Sequence, residues 1–388
     1  MDARAASAAP RAGRAATMTS LRGAADPEAE VGPELRRLLA EREASALTHG
    51  DEFALLWRLA GEQIADGKML RPRMLLRLHA ALSDRPDPAV SSRCSDSAAP
   101  RTVLQLACAI ELLHFAFLLH DDVIDGDLQR RHAPNLIARL QDQHPAPARG
   151  TNAAARHWGC TGAILMGDLL LTEVHRIFAL ADLPAAVRTR MLRLLHSTIS
   201  TTVAGELTDT ALSDGVIADE PETVLRMTAE KTAAYSFALP LRLAVILAGR
   251  GEDLETVLAT VSRALGLAYQ VQDDALAMFG DGRSHGKDPC SDLREGKRTT
   301  LVAHARRTGA WEDIAPRFGA ADLTEAEADA MRDRFRACGA EEFAHRLVAQ
   351  QLARARAGIA DAARAGLLPP PARAVLDDVV GLIDGRAS

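Results

Sequence analysis

Long segments with the character of helices dominate this chain, and they constrain its fold more than any other feature. From about Glu34 onward such segments follow one another with short breaks, and Val, Ile, Thr and aromatic residues almost never alternate with polar residues. Regular alternation is typical of half-buried strands, whereas a three- to four-residue apolar spacing is typical of helices. The chain is therefore predicted to be all-α.

Breaks rich in Pro, Ser or Gly interrupt the helical pattern at 84–101, 141–150 and 280–291. Breaks of this composition are typical of surface loops between helices, and none resembles a domain linker. A chain of 388 residues that is 47% hydrophobic can bury a full core. We therefore expect one domain over 31–388.

The first 30 residues differ from the rest of the chain. Residues 3–25 carry four arginines among Ala, Ser and Gly and no acidic residue, a composition superficially like an organelle transit peptide. Ala and Arg are abundant throughout this chain, so we interpret residues 1–30 as a disordered tail. A start at Met18 would remove much of it, and deletion of residues 1–17 should leave the fold intact.

Charge and cysteine content exclude several functions. The formal net charge is −6, without the basic surplus typical of nucleic-acid binders, so no nucleic-acid partner is expected. The five cysteines are odd in number and form no Cys-x-x-Cys or Cys/His cluster, which favours reduced thiols and a cytoplasmic protein. The most apolar stretch, Leu104–Leu119, is shorter than a membrane span and contains Glu111 and His114. We interpret it as a buried helix and expect no membrane span.

An acidic cluster, LLHDDVIDGD at 118–127, follows this apolar stretch directly. On a helix, Asp121 and Asp125 lie on one face about 6 Å apart along the axis. Two like charges in this position repel each other unless a cation bridges them, and carboxylate oxygens suit Mg²⁺. Since Mg²⁺ usually takes only one or two protein carboxylates and fills its other positions with water and phosphate oxygens, the site predicts a diphosphate ligand.

Short motifs of this type also match by chance, and a solvated acidic helix end is the alternative interpretation. Basic residues nearby favour the metal site. Arg130 and Arg131 follow Asp125 closely, and guanidinium groups are good partners for phosphate oxygens.

A second acidic pair, Asp273 and Asp274, lies in YQVQDD near the predicted end of another long helix. It could hold the other side of a metal cluster. Lys287 and Lys297 follow and could offset phosphate charge, although a lone lysine is usually a solvated surface residue.

Five motifs occur in family order, among them GKMLRP at 67–72, the acidic cluster at 118–127, Lys231-Thr232 and YQVQDD at 269–274. Together they resemble the trans-isoprenyl diphosphate synthase family, most closely its bacterial geranylgeranyl diphosphate synthases. The resemblance covers roughly residues 66–301. It implies a single-domain helical bundle of the isoprenoid synthase type with a central substrate cavity, commonly assembled as a homodimer. It also implies Mg²⁺ as cofactor, with two to three ions, and isopentenyl diphosphate and an allylic prenyl diphosphate as substrates.

The resemblance assigns roles residue by residue. Asp121, Asp122 and Asp125 form the first aspartate-rich motif, with Asp121, Asp125 and Asp273 as metal ligands. The first motif, Arg130 and Lys231 would carry catalysis by neutralising the allylic diphosphate as it leaves. Its implied substrate-binding residues are Lys68, Arg71, His114 and Arg131 for isopentenyl diphosphate, Arg130, Lys231, Thr232 and Lys287 for the allylic diphosphate, and Gln270 and Lys297 in neighbouring motifs.

Three positions depart from the family pattern. Met69 replaces an arginine of the element that contains Lys68 and Arg71, and Ala277 replaces the last aspartate of the second motif. Glu206 replaces a glutamine ahead of Asp209, a candidate for the metal shell. Bacterial relatives with an abbreviated second motif resemble this chain, so we still expect activity, with Asp273 rather than Asp274 as the main ligand.

Product length is predicted from two residues of the first acidic helix. Phe117 lies one turn before Asp121 and should meet the growing chain, whereas Ala116 is assigned by resemblance, since aromatic residues at these two positions shorten the product in related synthases. One aromatic residue of the two favours a C20 product, geranylgeranyl diphosphate, over C15 and then longer chains. A class I terpene cyclase and a non-catalytic partner subunit are the alternatives in other functional classes.

Overall fold

Helices make up almost all of the regular structure, and the all-α prediction is confirmed. The computed structural model describes residues 27–65, 67–83, 100–130, 133–144, 152–280 and 290–387. The helices of its first half are α1 (Pro27–Ala46), α2 (Asp51–Ala65), α3 (Leu70–Ser83), α4 (Pro100–Asp125), α5 (Leu136–Gln143), α6 (Asn152–Ala179) and α7 (Ala185–Ser213), with a 3₁₀ turn at Leu47–His49.

The second half begins with a short α-helix that continues into a π-helix, here called the π-segment (Ala229–Ala238). A further 3₁₀ turn, Gly385–Ala387, follows the last helix. The helices are α8 (Pro221–Thr228), α9 (Leu239–Leu247), α10 (Glu252–Phe279), α11 (Ser291–Glu295), α12 (Thr300–Ala305), α13 (Trp311–Ile314), α14 (Glu325–Ala337), α15 (Ala340–Arg364) and α16 (Pro370–Asp384).

The predicted tail is too long at its C-terminal end. Helix α1 begins at Pro27, and Val31 and Leu35 of this helix are fully buried in the main core. Residues 27–30 are therefore helical, which is a correction to the boundary placed at residue 30. Residues 1–26 lie outside the described residues.

Helix α4 is the apolar centre of the bundle. Leu106, Ile110 and Leu113 have no exposed surface, and the helix packs mainly against α6 and α3. By length and composition α4, which is longer than the stretch Leu104–Leu119, could span a membrane, but 78% of its most apolar window is buried in the protein, as predicted for a buried helix. It is thus a core helix that delivers its last turn to the surface of a cavity.

Two local features position the end of α4. Gly126 adopts a left-handed conformation with φ 73°, which is a common way to end a helix directly after its last residue, here Asp125. The chain then forms a two-stranded antiparallel hairpin of β1 (Gln129–Arg130) and β2 (Ala133–Pro134), with Arg130 opposite Ala133. This turn carries Arg130 back toward the acidic end of the helix.

The π-segment lies between α7 and α10, and both neighbours approach its backbone at a glycine. A Cβ atom at Gly205 of α7 would overlap the backbone nitrogen of Lys231, and one at Gly266 of α10 would overlap Ala233. Because backbone cannot move aside as a side chain can, both positions require glycine. The close approach places Lys231 and Thr232 between α7, which carries Glu206 and Asp209, and α10, which carries the second acidic pair.

Candidate active site

A cavity of about 1140 Å³ is lined mainly by residues of α3, α4, α6, α7, the π-segment and α10. Its volume is slightly above the range of roughly 300–1,000 Å³ usual for small-molecule sites. Charged residues of both signs line one part and apolar side chains such as Leu171 and Val203 another. The predicted residues in its wall are Lys68, Arg71, His114, Phe117, Asp121, Arg130, Lys231, Thr232, Gln270, Asp273 and Lys297.

Some predicted residues are not in this wall. Asp125 lines a smaller adjoining cavity of about 180 Å³, which shares Lys297 with the large one. Ala116 is fully buried and lines neither cavity, so its chain-length role stays a prediction from the resemblance. Arg131 and Lys287 lie outside the described residues.

Asp121 and Asp125 occupy the last turn of α4, and a lysine faces each of them. Lys231 Nζ lies 3.0 Å from Asp121 Oδ1, and Lys297 Nζ lies 2.8 Å from Asp125 Oδ2. Burial would raise the pKa of Asp121, but the charges of Lys231 and Lys297, together with Arg130, outweigh it and hold that pKa well below its usual range. Asp121 is therefore ionised and able to bind a cation.

Asp122 differs from its two neighbours. It is only 2% exposed, does not line the cavity, and accepts a hydrogen bond from Arg130 Nη2. Arg130 also lies 3.6 Å from Asp121 Oδ2. Burial raises the pKa of Asp122, although the charge of Arg130 opposes this. The geometry makes Asp122 a positioning residue for Arg130.

Lys231 projects from the π-segment into a group of three carboxylates. Besides Asp121, its Nζ lies 3.0 Å from Glu206 Oε1 and 2.7 Å from Asp209 Oδ2, both on α7. Burial raises the pKa of Glu206 to about 7, although the charge of Lys231 opposes this shift. The glutamate that replaces the family's glutamine thus adds an ionisable contact to Lys231.

The second acidic cluster lies on α10. Thr232 Oγ1 donates to Gln270 Oε1 at 3.0 Å, and Gln270 Nε2 donates to Asp274 Oδ1 at 2.8 Å. Burial raises the pKa of Asp274 to about 8, although the hydrogen bond from Gln270 opposes this. Asp273 instead accepts a hydrogen bond from Arg386, a residue absent from the sequence-based prediction.

An aromatic group organises the part of the wall assigned to isopentenyl diphosphate. The Tyr235 ring stacks on His114 with centroids 5.7 Å apart and contacts the Phe117 ring at 5.1 Å. Arg71 lies over the same ring at 5.1 Å and donates from Nη2 to Ser236 Oγ at 2.8 Å. Sequence reasoning missed Tyr235. Its position four residues after Lys231, one helical turn in an α-helix, was the available signal.

The segment that holds Lys68 is conformationally unusual. Met69, which replaces the family's arginine, has φ 52° and is the described non-glycine residue with a left-handed backbone. A Cβ at Gly67 would lie 2.7 Å from Glu111 Oε1, so a glycine allows this buried carboxylate to approach the loop. Backbone strain of this kind costs about 1–3 kcal/mol and persists where surrounding contacts enforce it.

The donor set fits a divalent cation that binds together with phosphate. No group of three or more His, Cys, Asp or Glu residues within the described ranges is arranged to hold a metal ion unaided. Instead, Asp121, Asp125 and Asp273 present hard carboxylate oxygens that basic side chains now neutralise. This chemistry suits Mg²⁺ with its remaining positions filled by substrate oxygens and water.

Fold and site together define an all-helical enzyme whose long helices carry carboxylates and basic residues to one cavity. The family model for polyprenyl synthetase matches residues 55–317. A (2E,6E)-farnesyl diphosphate synthase of Mycobacterium tuberculosis is 28% identical over 349 residues, covering 84% of this chain and 89% of the relative. A geranylgeranyl diphosphate synthase of Methanosarcina mazei is 28% identical over 283 residues, covering 73% and 76%.

A solved structure shows the same likeness in three dimensions. The geranylgeranyl pyrophosphate synthase from Corynebacterium glutamicum, complexed with isoprenyl diphosphate and magnesium, superposes with a TM-score of 0.82 and 26% identity. The match covers 93% of this chain and 98% of that chain. The chain belongs to the polyprenyl synthetase family, the trans-isoprenyl diphosphate synthases, and is a prenyltransferase of isoprenoid biosynthesis.

Proposed function

We propose that this protein joins an allylic diphosphate (dimethylallyl, geranyl or farnesyl) to isopentenyl diphosphate and produces geranylgeranyl diphosphate and diphosphate. One observation carries the proposal. A single large cavity combines a wall of acidic and basic groups, suited to two diphosphates, with apolar walls suited to prenyl chains. The farnesyl and geranylgeranyl synthases among its relatives support the same reaction class.

Arg130 and Lys231 are the basic residues proposed to neutralise the leaving diphosphate. The allylic C–O bond breaks with its electron pair on the departing diphosphate, and Arg130 and Lys231 are placed beside Asp121 to neutralise that charge. Mg²⁺, held by Asp121, Asp125 and Asp273, would supply further charge neutralisation there. The double bond of isopentenyl diphosphate then forms the new C–C bond and a proton is lost, for which the released diphosphate is a suitable acceptor.

The other residues position the second substrate and exclude water. Lys68, Arg71 and His114 hold the isopentenyl diphosphate, with Tyr235 packed against the last two side chains. Holding the nucleophile in place lowers the entropic part of the barrier. The apolar side chains Phe117 and Leu171 keep water from an allylic cation.

Labelled isopentenyl diphosphate tests this function. Incorporation should require the allylic co-substrate and Mg²⁺ and should cease with a chelator. A terpene cyclase would consume an allylic diphosphate without isopentenyl diphosphate. A non-catalytic partner subunit would incorporate no label alone, and either result would overturn the proposal.

Product length is tested on two neighbouring residues. Phe117→Ser removes the ring that lies against Tyr235 in the cavity wall and should lengthen the product to C25 or beyond. Ala116→Phe should shift product toward C15, now by displacing its helix neighbours because Ala116 is buried behind the wall. Chromatography of the dephosphorylated products decides this. A wild-type C15 product, or an unchanged spectrum in both variants, would overturn the C20 assignment.

We further propose a homodimer in the cytoplasm. Apolar side chains stand exposed on neighbouring helices α6 and α7, including Leu165 (52% exposed), Val203 (53%) and Leu207 (70%). Large exposed apolar patches commonly mark protein interfaces. The composition and cysteine usage support a reducing compartment.

A further inference from the structure

The 3₁₀ turn after α16 brings a basic residue into the cavity wall. Arg386 of this turn donates from Nη2 to Oδ1 of Asp273, 113 positions earlier in the chain. Its guanidinium carbon also lies 4.1 Å from the centre of the Tyr269 ring. Tyr269 and Asp273 are one turn apart on α10, so one side chain engages both.

The contact with Asp273 does not use the whole guanidinium of Arg386. The side chain is 27% exposed, and its Nη1 atom is buried without a hydrogen-bond partner in the part of the chain that the structure describes. A guanidinium offers five N–H donors in a planar fork that matches carboxylate and phosphate oxygens alike. Arg386 therefore retains donor capacity at the cavity, next to an aromatic face that favours a cation.

The same pairing recurs at the first acidic cluster. Lys231 faces Asp121 and Lys297 faces Asp125, and in both pairs a candidate metal ligand is neutralised by a basic cavity residue. For Lys231, the family resemblance assigns the allylic diphosphate as its partner in the substrate complex. Arg386 and Asp273 repeat this arrangement at the second cluster.

A divalent cation on Asp273 would repel the adjacent guanidinium and compete for the same carboxylate oxygens. The nearest new negative charge would be the diphosphate that accompanies the cation. We propose that Arg386 exchanges partners on ligand binding: it neutralises Asp273 in the empty site and binds a diphosphate oxygen once a divalent cation has taken Asp273. This inference rests on the proposed function, because it requires both ligands in this cavity.

Calorimetric titration with Mg²⁺ alone, and with inorganic diphosphate at saturating Mg²⁺, tests the exchange without turnover. Arg386→Ala should bind Mg²⁺ alone several-fold more tightly, because a competing cation is removed. It should bind inorganic diphosphate about ten- to a hundredfold more weakly, the effect expected for a lost hydrogen bond between charged groups. Arg356→Ala is the matched control, since Arg356 pairs with Asp384 where the two side chains are 50% and 57% exposed, and it should titrate as wild type.

The two opposite changes must occur together. Tighter Mg²⁺ binding without weaker diphosphate binding, or the reverse, overturns the exchange, and so do two titrations that equal those of Arg356→Ala. Thermal unfolding checks that the variants are folded. If Arg386→Ala is not, Arg386→Gln, which keeps amide donors and removes the charge, undergoes the same titrations with the same expected changes.

Turnover of labelled isopentenyl diphosphate separates this inference from the proposed function. An absence of turnover in the wild-type protein would overturn the proposed function. If the wild type and Arg356→Ala turn over substrate and the Arg386 variants titrate as wild type, the partner exchange of Arg386 is overturned and the proposed function stands.

Discussion

Single residues of the first acidic motif have different surroundings and should respond differently to substitution. Asp121→Ala and Asp125→Ala remove candidate metal ligands at the cavities, so turnover should fall by about 10² or more. Asp122→Asn instead leaves the largely buried charge of Arg130 without its carboxylate, which should lower the free energy of unfolding by roughly 3 kcal/mol.

Steady-state kinetics and denaturant unfolding distinguish these effects. Asp142→Ala, at an exposed position on α5, is the control and should change neither the turnover rate nor the free energy of unfolding. Near-normal turnover of Asp121→Ala or Asp125→Ala would contradict the metal assignment. Wild-type stability of Asp122→Asn would contradict the positioning role.

Glu206 should make stability depend on pH. Burial raises its pKa from an ordinary value of 4.5 to about 7, so between these values the folded state keeps a proton that the unfolded state releases. Its contribution is therefore fully present below pH 4.5 and is lost as the pH rises through 7. Glu206→Gln cannot titrate, and its stability relative to wild type should rise over this window by up to about 3 kcal/mol.

Denaturant unfolding at pH 5 and pH 8 measures this difference. Glu30→Gln, a substitution at an exposed position on α1, should have the wild-type free energy of unfolding at both pH values. An equal offset between Glu206→Gln and wild type at the two pH values would mean that Glu206 does not titrate in this window.

Local spacing identified some residues of the site and could not identify others. Asp121, Asp125 and Phe117 lie on one helix, so helical geometry alone relates them. Arg386 meets Asp273 across 113 positions, and no local pattern predicts such a contact. The hydrogen bond between Asp122 and Arg130 depends on the hairpin that contains Arg130, whose two-residue strands are too short to leave a periodic signal.

At the scale of elements, the π-segment depends on two glycines. Gly205→Ala and Gly266→Ala would each force a Cβ into its backbone, and backbone atoms cannot yield cheaply. Each should lower the free energy of unfolding by about 1–3 kcal/mol or more. Turnover should also fall, because Lys231 and Thr232 would shift.

A third glycine provides the matched control. Gly381 lies on an exposed face of α16 with open space around it, so Gly381→Ala should gain up to about 1 kcal/mol from helix propensity. Denaturant unfolding and turnover of the three variants give the comparison. Wild-type behaviour of Gly205→Ala would show that the π-segment tolerates displacement.

The long helices followed from the apolar pattern, but the π-segment did not. Helix α4 contains the predicted buried stretch, and α10 continues past Asp274 to Phe279, as expected of acidic pairs near helix ends. The π winding of Ala229–Ala238 occurs where α7 and α10 approach its backbone at Gly205 and Gly266, which are distant in sequence. Periodicity reports which residues are buried and carries no information about such contacts.

At the scale of the whole molecule, the exposed apolar face of α6 and α7 predicts a second copy. Leu165→Glu places a charge in this face and should convert a dimer to a monomer, as measured by sedimentation velocity. Leu47→Glu, an exposed leucine of the turn after α1, should leave the dimer intact. A monomeric wild-type protein would contradict the homodimer. A Leu165→Glu dimer of unchanged stability would show that the interface lies elsewhere.

The pairing of each candidate metal ligand with a basic side chain has a consequence for folding. Many metalloproteins fold only when their ion is available, because unpaired ligand charges oppose closure of the site. Here Lys231, Lys297 and Arg386 supply the neutralising charge from within the chain. We therefore expect a newly synthesised molecule to complete its folding without the proposed magnesium cofactor, so that loss of the ion should stop turnover and leave the fold intact.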